Sequence, residues 1–157
     1  MGLGETASDV LCSAAYVIGQ RIAEQGWVLL TGGRAIGVMD AASRGAKAAG
    51  GLTIGILPGA TVDGASDYLD IPIVTGLGHA RNTVNILSCD LVIACGMGLG
   101  TASEIAIALK SERPVILLAC SAISCQFFEQ FSTGKTHVSV DVEHAMQIAQ
   151  TILKRKG

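Results

Sequence analysis

The apolar positions of this chain follow two alternating rhythms. Short, unbroken apolar runs end on glycine or other small residues: "GWVLLTGG" from residue 26, "LTIGILPG" from 52, "IPIVTG" from 71, "DLVIACG" from 90, "RPVILLAC" from 113 and a shorter "HVSVD" from 137. Runs that are apolar on both faces are strands of a buried parallel sheet. Between them the apolar residues recur at helical spacing. Val10, Ala14, Val17, Ile18 and Ile22 mark a helix over 6–25, with Thr6 and Asp9 as its capping signature. A second helix over 36–49 stops at Gly50-Gly51, and further helices are expected over 79–88, 101–111 and 142–155. Strand–helix alternation predicts an α/β, doubly wound, Rossmann-like parallel sheet, with residues 1–157 as one domain.

One place in that scheme lacks an occupant. "MGLGETAS" reads as the loop after a first strand, yet no strand comes before it. The first strand is missing from the pattern, and its slot in the sheet should be empty or filled by something else.

Composition adds an expectation about assembly. Half of the 157 residues are hydrophobic and only 15% are charged. So apolar a surface predicts a homo-oligomer, a dimer or tetramer, that covers the helices at 79–88 and 101–111. Net charge is −2 and no basic stripe appears, which argues against a nucleic-acid partner. "LKRKG" at the C-terminus reads as a solvated helix end, where cations suit the dipole. Five cysteines without a C-x-x-C pair fit neither a disulfide framework nor a zinc site, so no metal is expected. Free thiols in apolar runs point to the cytoplasm. No leader is evident and no apolar run is long enough to span a membrane.

In an open parallel sheet, ligands bind beyond the carboxyl ends of the strands. "TGGRAIG", "GLGHARN" and "GMGLGT" all fall there, so Gly32, Gly33, Arg34, Arg81, Asn82, Gly98, Leu99, Gly100, Thr101 and Glu104 should converge on one cleft. Glycines at a helix N-terminus let exposed amides approach an anion such as phosphate, though the Gly-Lys-Ser/Thr ending of a P-loop is absent. Thr101-x-x-Glu104 reads equally as a plain capping box. Arg81 is expected in the first turn of a helix, where a cation opposes the dipole; that placement suits a site, or a surface arginine. Arg34 would pair with a phosphate or cap its turn, and His79 reads as structural or solvated. Cys95 ends a strand at the cleft and reads more simply as an inert buried thiol. Gly2-Leu3-Gly4-Glu5-Thr6-Ala7 formally matches the dinucleotide motif G-x-G-x-x-A. The preceding strand is lacking, however, and Glu5 would repel a pyrophosphate.

"TGGRAIGVMDAASRGAKAAGG", "GLTIGILPG" and "GHARNTVNILSCDLVIACGMGLGTASEIAIALK" resemble the superfamily of the cytokinin-activating phosphoribohydrolases, often called lysine-decarboxylase-like. The resemblance runs from about Gly2 to Leu118. Those enzymes carry P-G-G-x-G-T-x-x-E and an upstream Arg-Lys pair, and cleave nucleoside 5′-monophosphates. The resemblance implies phosphate held at Gly98–Thr101, with Arg81 and Glu104 serving the chemistry if hydrolysis occurs. Here Gly96-Met97 stands for Pro-Gly, and Arg81-Asn82 for Arg-Lys. With "GLGE" and "EQGWVLLTGGR", these departures are more similar to the molybdenum cofactor carrier proteins of algae and cyanobacteria. That similarity implies binding, storage and carriage of molybdenum cofactor (molybdopterin), held by its phosphate, without a chemical step.

Overall fold

Ser8 starts the first helix of the chain: its side-chain oxygen accepts from the Leu11 N–H, and Asp9 adds negative charge to the first turn. The computed structural model, which describes residues 1–132 and 134–154, places α1 at Asp9–Glu24. The cap is therefore Ser8 and not Thr6, which lies in the preceding turn. After it come β1 (Leu29–Thr31), α2 (Gly37–Ala48), β2 (Thr53–Leu57), β3 (Ile71–Val74), a 3₁₀ turn at Gly78–Ala80 and α3 (Arg81–Leu87). The second half holds β4 (Val92–Cys95), α4 (Leu99–Lys110), β5 (Val115–Leu118), α5 (Ala122–Glu129), β6 (Thr136–Ser139) and α6 (Val142–Lys154). Helix α5 was not foreseen, because "AISCQFFE" is too short to display a helical period. Of the basic C-terminal run, Arg155 and Lys156 lie outside the described residues.

All strand pairings are parallel, in two three-stranded sheets ordered β1-β2-β3 and β4-β5-β6. Side chains alternate across the second sheet. Val92, Ala94, Val115 and Leu117 pack with Ile86 of α3, Ile105 and Ala108 of α4, and Cys125 and Phe128 of α5. Cys95 and Leu118 join the core formed by α1 and α2, while Ile116 packs with Ala145 and Ala149 of α6. One face thus carries α1, α2 and α6 and the other carries α3, α4 and α5, the two-sided cover that parallel strands require.

Helices α1 and α2 approach until their backbones touch. A Cβ on Gly19 would stand 2.0 Å from the Ala42 carbonyl oxygen, and one on Gly45 would stand 2.0 Å from that of Tyr16. Only glycine fits either place, despite its entropic cost within a helix. Pro72 sits on β3, an edge strand whose four residues are all exposed, where a missing N–H costs little.

The expected single sheet is divided. Among the described residues β1 pairs on one side only, with β2, and no ladder joins it to β4. Between them lies the start of the chain. The Cys95 N–H donates to the Met1 carbonyl at 2.9 Å, the Met1 ammonium donates to the Ile93 carbonyl at 2.9 Å, and Gly2 forms a parallel bridge with Cys95. Met1 and Gly2 thus lie between β1 and β4 beside Ile93 and Cys95.

Asp70 ties the β2–β3 crossover together. Its carboxylate accepts from the Thr53 N–H and Thr53 hydroxyl, each at 2.9 Å, and pairs with Lys47 of α2. Lys47 first, then Thr53, lower its pKa to about 2 from 3.8. A depressed carboxylate stabilises the fold above its unfolded pKa and ceases to do so as pH falls through its folded value. The unfolding midpoint in urea should therefore drop between about pH 4 and pH 2, and drop less steeply in Asp70→Asn, when both are followed by circular dichroism.

Candidate functional site

Four loops at the carboxyl ends of the strands meet beside β4. Leu3 lies against the loop before α4: a Cβ on Gly98 would stand 2.7 Å from Leu3 Cδ2. The Leu3 carbonyl accepts from the Val38 N–H at 3.0 Å, fastening the same loop to the start of α2. Thr31 shapes the loop after β1, its hydroxyl accepting from the Gly33 N–H at 3.1 Å. Gly32 then lies flat against Arg81, whose guanidinium nitrogens would stand 2.5 Å from any Cβ there.

The N-terminus of α4 is open. Gly98 is its N-cap and supplies no side chain to cap it. The first helical hydrogen bond runs from the Ala102 N–H to the Gly98 carbonyl at 2.8 Å, so the amides of Leu99, Gly100 and Thr101 precede the helical ladder. By contrast Ser8 caps α1 and Ser121 caps α5. Aligned dipoles put partial positive charge at this uncapped end. The capping-box reading of Thr101 and Glu104 fails here. With the cap at Gly98, Thr101 is already within the helix and Glu104 lies a further turn on, too far to bond the cap amide.

Glu104 has buried partners instead. Its Oε1 accepts from Asn85 Nδ2 at 3.1 Å and lies 3.8 Å from Arg81 Nη1. Arg81, Asn85 and Glu104 are only 8%, 5% and 7% exposed. Arg81 opens α3, so the surface-arginine reading is excluded. Two atoms in this cluster, Arg81 Nε and Asn85 Oδ1, are buried without a hydrogen-bond partner. Burial lowers the Arg81 pKa, Glu104 opposes that shift, and Arg34 adds to it. Asn82 donates from Nδ2 to Ser103 Oγ at 3.0 Å, and Ser103 Oγ donates to the Gly100 carbonyl at 2.7 Å. Residue 82 therefore braces the α4 end and adds no charge to the cleft.

The profile of the SLOG cluster4 family matches residues 1–152. The chain belongs to that family. This SLOG cluster4 protein is 47% identical over 118 residues to an uncharacterized protein of Archaeoglobus fulgidus, covering 75% of this chain and 76% of the relative. It is 33% identical over 97 residues to the cytokinin riboside 5′-monophosphate phosphoribohydrolase of Mycobacterium tuberculosis, covering 60% of this chain and 52% of the enzyme. Among solved structures, the molybdenum cofactor binding protein of the phototrophic bacterium Rippkaea orientalis superposes with a TM-score of 0.95 at 52% identity, over 98% of this chain and 94% of that one. The molybdenum cofactor carrier protein of Chlamydomonas reinhardtii gives 0.94 at 46% identity, over 98% and 95%.

The SLOG cluster4 chain brings Gly32, Arg81, Asn82, Gly100, Thr101 and Glu104 around the junction of α3 and α4 through the contacts given above. Gly33 shapes its loop, with φ +76°. Arg34 stands further out, half exposed and 3.8 Å from Glu5, so the loop carboxylate expected to repel a phosphate faces a cation. Leu99 offers its backbone only, for its side chain is 94% exposed. His79 is exposed in the 3₁₀ turn. Cys95 is buried, and burial pushes its thiol pKa up, which keeps it protonated and inert. Sequence reasoning missed Asn85 and Ser103. Asn85 stands four residues after Arg81, on the same face of α3, and that spacing was the available signal.

Removing Glu104 would leave a buried guanidinium without its counter-charge. Glu104→Ala should cost about 3 kcal/mol of unfolding free energy in urea titration. Glu104→Gln keeps an acceptor for Asn85 and should cost less.

Proposed function

We propose that this protein binds and carries molybdenum cofactor, holding the phosphate monoester at the amides of Leu99, Gly100 and Thr101 with Arg81 beside them. The observation that carries the reading is the pairing of an uncapped α4 N-terminus with a buried arginine whose Nε–H has no partner. Each would be satisfied by an anionic oxygen. The chemistry of the donor set fits: backbone amides and a guanidinium suit a phosphate. Gly32 and Gly98 keep the walls of the cleft free of Cβ atoms that would strike Arg81 and Leu3. The cofactor is cargo and supplies a planar pterin and its phosphate; the protein supplies binding, orientation and shielding from water. Molybdenum cofactor binding and carrier proteins of known structure, at 46% to 52% identity over nearly the whole chain, support the same reading.

A second reading is hydrolysis of nucleoside 5′-monophosphates, favoured by the 3.8 Å approach of Arg81 to Glu104. A carboxylate there would stabilise positive charge developing on a ribose. Against it, Asn82 is uncharged and turned toward Ser103. The reading includes a cytoplasmic homo-oligomer. Among the described residues no helix is long and apolar enough to cross a membrane. Leu99 on α4 and Ile123, Phe127 and Phe131 on or after α5 expose apolar side chains that a second copy would cover.

Purified protein incubated with the cofactor should retain it through gel filtration and slow its oxidation. Arg81→Ala should weaken binding about a hundredfold, the loss of a charge-assisted hydrogen bond. Gly100→Asp tests the amides without threatening the fold, since a Cβ there meets nothing within 4 Å and an acidic residue suits a helix start. It should abolish retention while leaving the urea midpoint unchanged. Retention unaffected by both variants, or release of adenine from adenosine monophosphate that Glu104→Ala abolishes, would overturn the carrier reading.

A further inference from the structure

Two of the loops that build the anion site meet a second time, further out. Gly32 lies against the Arg81 guanidinium, and Leu3 lies against Gly98 at the start of α4. Two residues beyond each of them, Arg34 Nη2 and Glu5 Oε1 stand 3.8 Å apart. Two residues of chain span at most about 7 Å, so this pair is within reach of a ligand whose anionic group is held at α4. The charge of Arg34 already acts on Arg81, which sets the two guanidinium groups near each other.

Both side chains are displayed from fastened backbone. The Ala7 N–H donates to the Gly4 carbonyl at 3.1 Å, closing a turn with Glu5 at its corner. The base of that turn is pressed on the start of α2: a Cβ on Gly37, whose φ is +54°, would stand 2.3 Å from the Gly4 carbonyl oxygen. Arg34 forms an antiparallel bridge with Ala65. Bonds from the Ala35 N–H to the Gly64 carbonyl and from the Ser66 N–H to the Gly33 carbonyl, each at 2.9 Å, flank that bridge. The ion pair itself does little for the fold. The Glu5 side chain is 80% exposed and that of Arg34 46%, and so wetted a pair contributes next to nothing to stability. Held at a rim and free of structural duty, the two charges are available to a ligand.

We propose that Glu5 and Arg34 determine the specificity of this site by reading the 2-amino-4-oxopyrimidine edge of a phosphorylated pterin. This role rests on the carrier reading above, which puts the phosphate at Leu99, Gly100 and Thr101. The pterin edge shows two donors and then an acceptor: the 2-amino group, N3–H and the 4-oxo oxygen. A carboxylate only accepts and takes two parallel donors; a guanidinium only donates. The 2-amino group and N3–H would donate to the Glu5 carboxylate, and Arg34 would donate to the oxo oxygen, so the acceptor and donor side by side on the rim match that edge in order. A ring with an oxo group in place of the amino group turns an oxygen toward the carboxylate, and repulsion adds to the lost bond. Apolar walls cannot discriminate in this way, because ring systems of one size fill them equally.

Fluorescence titration with two phosphate monoesters tests this role: 6-hydroxymethylpterin phosphate, and the matching lumazine ester in which an oxo group replaces the 2-amino group. The unsubstituted protein should bind the pterin ester about tenfold more tightly, the worth of one charge-assisted hydrogen bond. In Glu5→Gln that preference should vanish, while the affinity for inorganic phosphate in isothermal calorimetry stays unchanged. Arg34→Gln should weaken both esters alike, since both carry the 4-oxo oxygen. Equal binding of the two esters by the unsubstituted protein, or a preference that survives in Glu5→Gln, would overturn the role of the pair and leave phosphate binding at α4 standing. Guanine carries the same edge at a different distance from its phosphate, so tighter binding of guanosine 5′-monophosphate than of the pterin ester would overturn it too. Failure of inorganic phosphate and of both esters to bind would overturn the carrier reading, and this role with it.

Discussion

Everything at the candidate site depends on hydrogen-bond donors that the folded chain leaves without acceptors. The N-terminus of α4 lacks a side-chain cap, and the Arg81 guanidinium, 3.8 Å from Glu104 of the same helix, has its Nε–H unpartnered. A buried polar group without a partner costs free energy, and a buried charge costs more. Glu104, held by Asn85, offsets part of that cost, but the Arg81 Nε–H and the α4 amides stay free. A fold that keeps such an arrangement is suited to an anion that supplies the missing acceptors.

The surrounding sequence follows from that constraint. Gly32 is bare because a Cβ would strike the guanidinium, and Gly98 because a Cβ would strike Leu3. Asn82 and Ser103 tie α3 to the first turn of α4, fixing the distance between the arginine and the amides. Glycines deeper in the molecule serve the same end less directly. Gly19 and Gly45 let α1 and α2 touch, and so hold the Gly2–Ala7 and Gly32–Gly37 loops, which lead into those two helices.

Much of this was legible in the residues. The six apolar runs match the six strands of the described residues, because parallel strands leave an unbroken signature. Helix starts were less legible. Thr6 lost to Ser8, and α4 begins two residues before the expected boundary because glycine can serve as a cap without any side-chain signal. That shift decides the role of Glu104: read one turn later, its carboxylate leaves the helix cap and joins Arg81. The convergence of the loops was visible from topology rules, but Asn85 was not, since only the packing of α3 on α4 reveals which polar residue faces inward.

The most direct test of the central claim is a nuclear magnetic resonance titration of the ¹⁵N-labelled protein with inorganic phosphate. The account predicts that the backbone amides of Leu99, Gly100 and Thr101 and the Nε–H of Arg81 shift together along one binding curve. A titration in which these four signals stay still, or in which Arg81 moves independently of the three amides, would contradict it.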